Sequence, residues 1–260
     1  MSDEILIARQ GGLGIVTLNR PQALNTLSLA MYRRFDPALA AWREDSGVQA
    51  VLVRGAGERA FCAGGDLKER DGMSNEDWRA QHELFERSFM ALLETQMPVI
   101  AAVNGHAYGG GCETVLGCDF VYAVRQARFA LSETRLGIMP GGGGTQTLAR
   151  AVGERRAKEL IFTARPFSAD EALAWGMVNQ VCEDAAALMA QALATAQAIA
   201  ANAPLSIRQA KKSIHHGLQT DLLTGYRFEI EAYNRLVTTQ DRLEGVRAFN
   251  EKRAPLFRAR

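Results

Sequence analysis

Three short and nearly unbroken apolar runs constrain this chain most. They are Ala50-Val51-Leu52-Val53, Pro98-Val99-Ile100-Ala101-Ala102-Val103, and Phe120-Val121-Tyr122-Ala123 after Asp119. A strand that is apolar on consecutive positions has both faces covered, as parallel sheets do. A helical stretch from Asn75 to Glu94 separates the first two runs, with Trp78, Leu84, Phe85, Phe89 and Leu92 as its main apolar residues. Strands alternating with helices predict an α/β core. Ile5-Leu6-Ile7 and Ile15-Val16-Thr17-Leu18 flank Gly11-Gly12 and read as a hairpin. Ser28 is a candidate N-cap for a helix carrying Met31, Phe35, Leu39 and Trp42 on one stripe. Pro37 falls inside that stripe and is expected to kink or shorten the helix. After about residue 195 the pattern turns helical throughout, over 193–203, 205–214, 222–236 and 243–249. The chain therefore divides into an α/β core, 1–195, and a helical region, 196–260. No sequence period of twenty to fifty residues recurs.

Composition excludes several classes. The 260 residues carry 30 Lys+Arg against 29 Asp+Glu, so the net charge is 30 − 29 = +1 and gives no basic stripe for a nucleic acid. A chain of this length can bury a large core without disulfides or metals. No run approaches the ~18 apolar residues of a membrane span, and Met1-Ser2-Asp3-Glu4 is unlike a signal peptide. Cys62, Cys112, Cys118 and Cys182 form no C-x-x-C pair and read as reduced, mostly buried thiols of a cytoplasmic protein. A catalytic thiol at Cys62 or Cys112 is the lesser alternative.

Chemistry concentrates in three glycine-rich segments: Phe61-Cys62-Ala63-Gly64-Gly65-Asp66-Leu67, Asn104-Gly105-His106-Ala107-Tyr108-Gly109-Gly110-Gly111-Cys112-Glu113, and Gly137-Ile138-Met139-Pro140-Gly141-Gly142-Gly143-Gly144-Thr145. Glycines ahead of a helix let backbone approach a ligand and leave free N–H groups pointing at it. Such a place suits an oxygen that becomes negative during reaction. A nucleotide site is the weaker reading. Gly55-Ala56-Gly57-Glu58-Arg59-Ala60 fits G-x-G-x-x-A, but a further loop follows it instead of a helix, and Gly141–Gly144 lacks the Lys and Ser/Thr of a P-loop. There is no G-x-S-x-G or H-E-x-x-H. His215-His216 diverge on a helix and make a poor metal clamp, whereas His106 sits in a glycine loop where contact and packing roles are both open. Two carboxylates, Glu113 and Glu133, stand among apolar residues beside these loops.

At these residues the chain resembles the crotonase superfamily, the enoyl-CoA hydratase/isomerase family. The resemblance runs from Asn19-Arg20-Pro21-Gln22-Ala23-Leu24-Asn25 through the glycine segments to Glu244-Gly245 and Ala248-Phe249-Asn250-Glu251-Lys252-Arg253. It implies a spiral of β-β-α units with a helical C-terminal region that assembles a homotrimer or a dimer of trimers. It also implies an acyl-CoA thioester substrate, with no metal and no cofactor beyond the CoA of the substrate itself. The N–H groups of Gly65 and Gly110 would form the oxyanion hole. Glu113 would activate water, and Glu133 would protonate the α-carbon. Ala23, Leu24, Ala63, Asp66, Leu67 and Lys68 would line the CoA site, with Arg258 near the CoA phosphates. His106 and Gly141 are further candidates for substrate contact. Gly65 stands where the family often has alanine, Ser132 stands where proline often precedes the acid, and Tyr108 would narrow the acyl pocket. The activity implied is hydration of 2-enoyl-CoA to 3-hydroxyacyl-CoA. An enoyl-CoA isomerase, another lyase or dehydratase of the same fold, and a non-catalytic acyl-CoA-binding member are the alternatives.

Overall fold

The computed structural model describes residues 3–45 and 47–260. Met1 and Ser2, from the N-terminal stretch expected not to be a signal peptide, lie outside the described residues. The chain opens with the expected hairpin, β1 (Ile5–Gln10) and β2 (Leu13–Leu18), paired antiparallel around Gly11 at φ +58°. Helix α1 (Leu29–Glu44) follows, and the Ser28 hydroxyl accepts the Met31 N–H as its N-cap. Met31, Phe35, Leu39 and Trp42 are all buried, as their spacing predicts. Pro37 does not shorten α1, which continues to Glu44.

Three strand pairs then alternate between two sheets. The first is β3 (Ala50–Gly55) with β4 (Ala60–Cys62), followed by the short helix α2 (Leu67–Arg70) and by α3 (Asn75–Leu93). The second is β5 (Val99–Val103) with β6 (His106–Tyr108), followed by α4 (Gly110–Leu116). The third is β7 (Phe120–Val124) with β8 (Arg128–Ala130), followed by α5 (Gly144–Val152) and α6 (Glu154–Thr163). A last passage runs through β9 (Phe167–Ser168), α7 (Ala169–Ala174) and β10 (Gln180–Cys182). The large sheet has the order β1-β2-β3-β5-β7-β10 and is parallel beyond the hairpin; the small one has the order β4-β6-β8-β9. Each β-β-α turn thus adds one strand to each sheet, which is the expected spiral. The helical insertions differ in length from turn to turn, so the repeat exists in space and leaves no period in the sequence.

The three apolar runs are β3, β5 and β7, buried nearly throughout. Their parallel ladder forms the core, closed on one face by α8 (Ala185–Ala200) through Leu188, Ala192 and Ala196. The boundary expected at 195 therefore falls inside a core helix. The last strand ends at Cys182, so the regular structure is all helical from α8 onward, and α8 is followed by α9 (Pro204–Gly217), α10 (Leu222–Val237) and α11 (Gln240–Asn250). These three helices bury few residues of their own and leave Leu222, Leu223, Tyr226, Tyr233 and Phe249 exposed. No helix among the described residues is long and apolar enough to cross a membrane.

Candidate active site

The glycine segments meet at one cleft of about 730 Å³. Its floor is made where the spiral's turns stack. Leu27 forms an isolated parallel bridge with Gly65, since its N–H donates to Gly64 O (2.8 Å) and its carbonyl accepts from Asp66 N (3.1 Å). That pairing leaves the Gly65 N–H without an acceptor among the described residues. Gly109, at φ +51° and ψ −128°, turns the chain from β6 into α4. Gly110 is the first residue of that helix, so its N–H has no intrahelical partner and is also free among the described residues. Gly64, at φ +100°, lies against this turn, and a Cβ there would stand 3.1 Å from Tyr108 O. Gly64, Gly65, Gly109 and Gly110 all line the cleft.

Glu113 is only 1% exposed. Its Oε1 accepts the Gly142 N–H at 2.8 Å and the Gly144 N–H at 2.9 Å. Those donors come from the loop entering α5, so the third glycine segment wraps the acid that the second one supplies. The glycines are required by space. A Cβ on Gly144 would lie 2.9 Å from Glu113 Oε1, and one on Gly142 would lie 2.3 Å from the Phe85 ring. Burial pushes the Glu113 carboxyl up to about 7, the two N–H bonds work against that rise, and the charge of Glu133 adds to it.

Glu133 opens a 3-10 turn, Glu133–Leu136, that follows β8. Both of its carboxylate oxygens are buried with no hydrogen-bond partner among the described residues. Burial raises this carboxyl as well. Ser132 contributes no side-chain cap, and the turn is held instead by Arg135 N–H to Ser132 O (3.1 Å) and by the Thr134 hydroxyl to Ile161 O (3.0 Å) on α6. Glu133 reaches Gly109, where a Cβ would stand 3.4 Å from its Oε1. The cleft thus holds two carboxyls in contrasting surroundings, one gripped by N–H donors and the other bare.

The segment expected to line the CoA site is tied together by a buried polar knot. Pro21–Ala23 is a 3-10 turn, with Leu24 (φ +53°) and Asn25 (φ +55°) left-handed after it. The Asn25 amide donates to Ala56 O and Ala60 O, and Leu24 O accepts the Ala63 N–H (3.0 Å). Asp66 caps α2 by accepting the Lys68 N–H (3.0 Å) and pairs with Arg20 at 2.8 Å. Burial opposes its charge, but Arg20 and the N–H bonds prevail and hold the carboxyl below its ordinary range. Ala63, Leu67 and Gly141 line the cleft; Ala23, Leu24, Asp66 and Lys68 lie outside its lining.

Two further expected contacts, His106 and Arg258, also lie outside the lining. His106 is exposed on β6 and stacks on Tyr108 at 5.6 Å, and of the pair only Tyr108 is a lining residue. Arg258 lies in a separate depression beside α11, where its N–H donates to Asp241 Oδ1 (2.7 Å), so it does not line the cleft of its own chain. The glycine motif at 55–60 serves packing: Gly55 N–H donates to Asn104 Oδ1, and a Cβ at Gly55 would strike Phe61 O at 2.6 Å. All four cysteines are free, and burial drives the Cys62 thiol up to about 12 and the Cys112 thiol well up, against a thiolate role for either. Sequence reasoning missed the wall of the cleft formed by Tyr32, Arg70, Trp78, His82 and Phe85. Helical spacing assigns Trp78 and Phe85 to a core face and cannot tell a core from a pocket.

The chain is similar to known proteins along nearly its whole length. Residues 8–260 match the family model described as enoyl-CoA hydratase/isomerase. The chain is 43% identical over 262 residues to the putative enoyl-CoA hydratase/isomerase YngF of Bacillus subtilis, covering 99% of each. It is 42% identical to a short-chain-enoyl-CoA hydratase of Clostridium acetobutylicum, covering 96% of each. Among solved structures, the enoyl-CoA hydratase of Bacillus anthracis superposes with a TM-score of 0.96 at 42% identity, over 99% of this chain and 100% of that one.

Proposed function

Because the chain belongs to the enoyl-CoA hydratase/isomerase family, we propose that it is a hydro-lyase adding water across 2-enoyl-CoA thioesters to give 3-hydroxyacyl-CoA. The carrying observation is one cleft wall that combines two free N–H groups, at Gly65 and Gly110, with the unlike carboxyls Glu113 and Glu133.

The chemistry follows from those surroundings. A thioester carbonyl seated between the N–H groups of Gly65 and Gly110 gains hydrogen bonds as its oxygen turns negative. Losing one such donor typically costs roughly 3–4 kcal/mol. The N–H bonds to Glu113 Oε1 favour its ionised form and leave Oε2 to accept a proton from water. The oxygen of that water then bonds to the β-carbon while the π electrons move to the thioester enolate. Glu133, bare and buried, favours its neutral form and can donate a proton to the α-carbon, which collapses the enolate. The pair starts and ends with one proton between them, carried back from Glu113 to Glu133 by exchange with solvent. The reaction as read needs no cofactor besides the CoA of its substrate. The free, mostly buried thiols fit a cytoplasmic enzyme. The exposed apolar face of α9–α11 fits a homotrimer or a dimer of trimers.

Hydration of crotonyl-CoA tests the proposal. Glu113→Gln and Glu133→Gln should each lower turnover by on the order of 10²–10⁴. Unchanged turnover in both variants rejects the two-acid reading, and faster conversion of a 3-enoyl-CoA than hydration of a 2-enoyl-CoA would make the enzyme an isomerase.

A further inference from the structure

The cleft lining also carries a cation that the hydration chemistry leaves without a task. Arg70 lines the cleft beside Gly65, where a Cβ would stand 3.4 Å from both its Cζ and its Nη2. Its Nε donates to Oε1 of the buried Gln81 at 2.8 Å, and its guanidinium lies 4.6 Å from the centroid of the Trp78 ring. Gln81 is held in turn by Glu69 at 3.4 Å. The guanidinium is therefore fixed on two sides, while neither Nη makes a hydrogen bond or an ion pair among the described residues. The carboxylates among the lining residues are Glu113 and Glu133 alone, whereas Arg135 is a second lining cation without an ion pair. A hydrocarbon acyl chain would leave this fork facing apolar groups such as Tyr32 and Phe85, which disfavours the charge.

We infer that the acyl pocket selects 2-enoyl-CoA thioesters whose acyl chain ends in a carboxylate, received by the Nη pair of Arg70. A planar fork pre-set by a hydrogen bond and an aromatic face suits bidentate capture of a carboxylate. Arg70 and Gly65 lie side by side in the same lining, so an acyl chain whose thioester oxygen is held at Gly65 occupies the cleft that Arg70 lines. The inference rests on the acyl-CoA reading of the site and adds the class of acyl chain.

Two substrates of equal length isolate the effect: glutaconyl-CoA, with a terminal carboxylate, and 2-pentenoyl-CoA, with a terminal methyl. The wild-type enzyme should show a kcat/KM at least about tenfold higher for glutaconyl-CoA, since a charge-assisted bidentate pair readily supplies the equivalent of one decade. Arg70→Met should abolish or invert that ratio, and Arg70→Lys, which keeps charge but not the fork, should retain part of it. A wild-type preference for 2-pentenoyl-CoA overturns the inference. So does an Arg70→Met variant with an unchanged ratio, including equal losses on both substrates, which would assign Arg70 to the CoA moiety or to the fold. Calorimetric titration with the saturated esters glutaryl-CoA and pentanoyl-CoA reads the same selectivity without turnover. If neither enoyl ester is hydrated, the hydratase reading fails, and tighter glutaryl-CoA binding that is lost in Arg70→Met still upholds the inference; equal binding sinks it.

Discussion

At Glu113 a single oxygen receives two backbone N–H groups, in a pocket that only glycine at 142 and 144 leaves open. Burial still raises that carboxyl to about 7, well above the ordinary glutamate value near 4.5. Linkage fixes the sign of the pH dependence. Between about pH 4.5 and 7 the folded chain holds a proton at Glu113 that the unfolded chain has lost. Stability therefore falls as pH rises through that window, by an amount on the order of a few kcal/mol for a shift of this size. Glu113→Gln carries no such proton. Its melting temperature relative to wild type should accordingly climb between pH 4.5 and 7 and level off above. Parallel curves for the two proteins across that range would show that Glu113 is not held in the raised state. The two acids were legible in the sequence because carboxyls among apolar residues and glycines are out of place. Arg70 and Trp78 were not, because an arginine near a turn and a tryptophan in a helix have ordinary explanations in solvent and core.

Helix α1 shows how far local propensity is overruled by packing. Pro37 removes the N–H that would bond Arg33 O and its ring crowds that carbonyl, yet the helix persists from Leu29 to Glu44. Four large side chains on the buried stripe outweigh the loss, with the Ser28 cap at the start. Pro37 itself is exposed and remote from the cleft. Pro37→Ala should thus raise the denaturant midpoint, corresponding to a gain of about 1–3 kcal/mol, with m and enoyl-CoA turnover unaltered. A lower midpoint would mean that the proline shapes the helix in a way the core needs. The same contrast explains which elements could be read. Strands β3, β5 and β7 announce themselves because both faces are buried and nearly every position is apolar, Arg54 on β3 being the charged exception. Strands β4, β6, β8 and β9 are two or three residues long, paired across turns of the spiral, and too short for any alternation to register. The glycine segments are therefore visible as loops, while the small sheet that aligns them is not.

At the scale of the whole molecule, α10 sets the problem. Ala232 is its buried residue, while Leu223, Tyr226, Ile230, Tyr233 and Val237, three to four residues apart and with Leu222 at their start, are at least 39% exposed at every position. Leu218 just after α9 and Phe249 on α11 are also exposed, at 77% and 83%. An exposed apolar helix face of this kind is what self-association would use. The net charge of +1 opposes association little. Arg258 and the depression beside α11 lie on the same helical region, away from the cleft of their own chain. Closed rotational symmetry would cover the α10 stripe with its own copies. Sedimentation should accordingly give three or six times the mass of one chain. Ile230→Glu combined with Tyr233→Glu places charges in the covered stripe and should shift the protein to monomers, because unpaired buried charges cost several kcal/mol. Turnover then separates two designs. Activity that survives in the monomer means each cleft is complete within its own chain, and activity that falls with a raised KM means the neighbouring helical region contributes to holding CoA. A wild-type chain that sediments as a monomer, or a double variant that keeps the wild-type mass, would remove the assembly and leave the α10 stripe without a role.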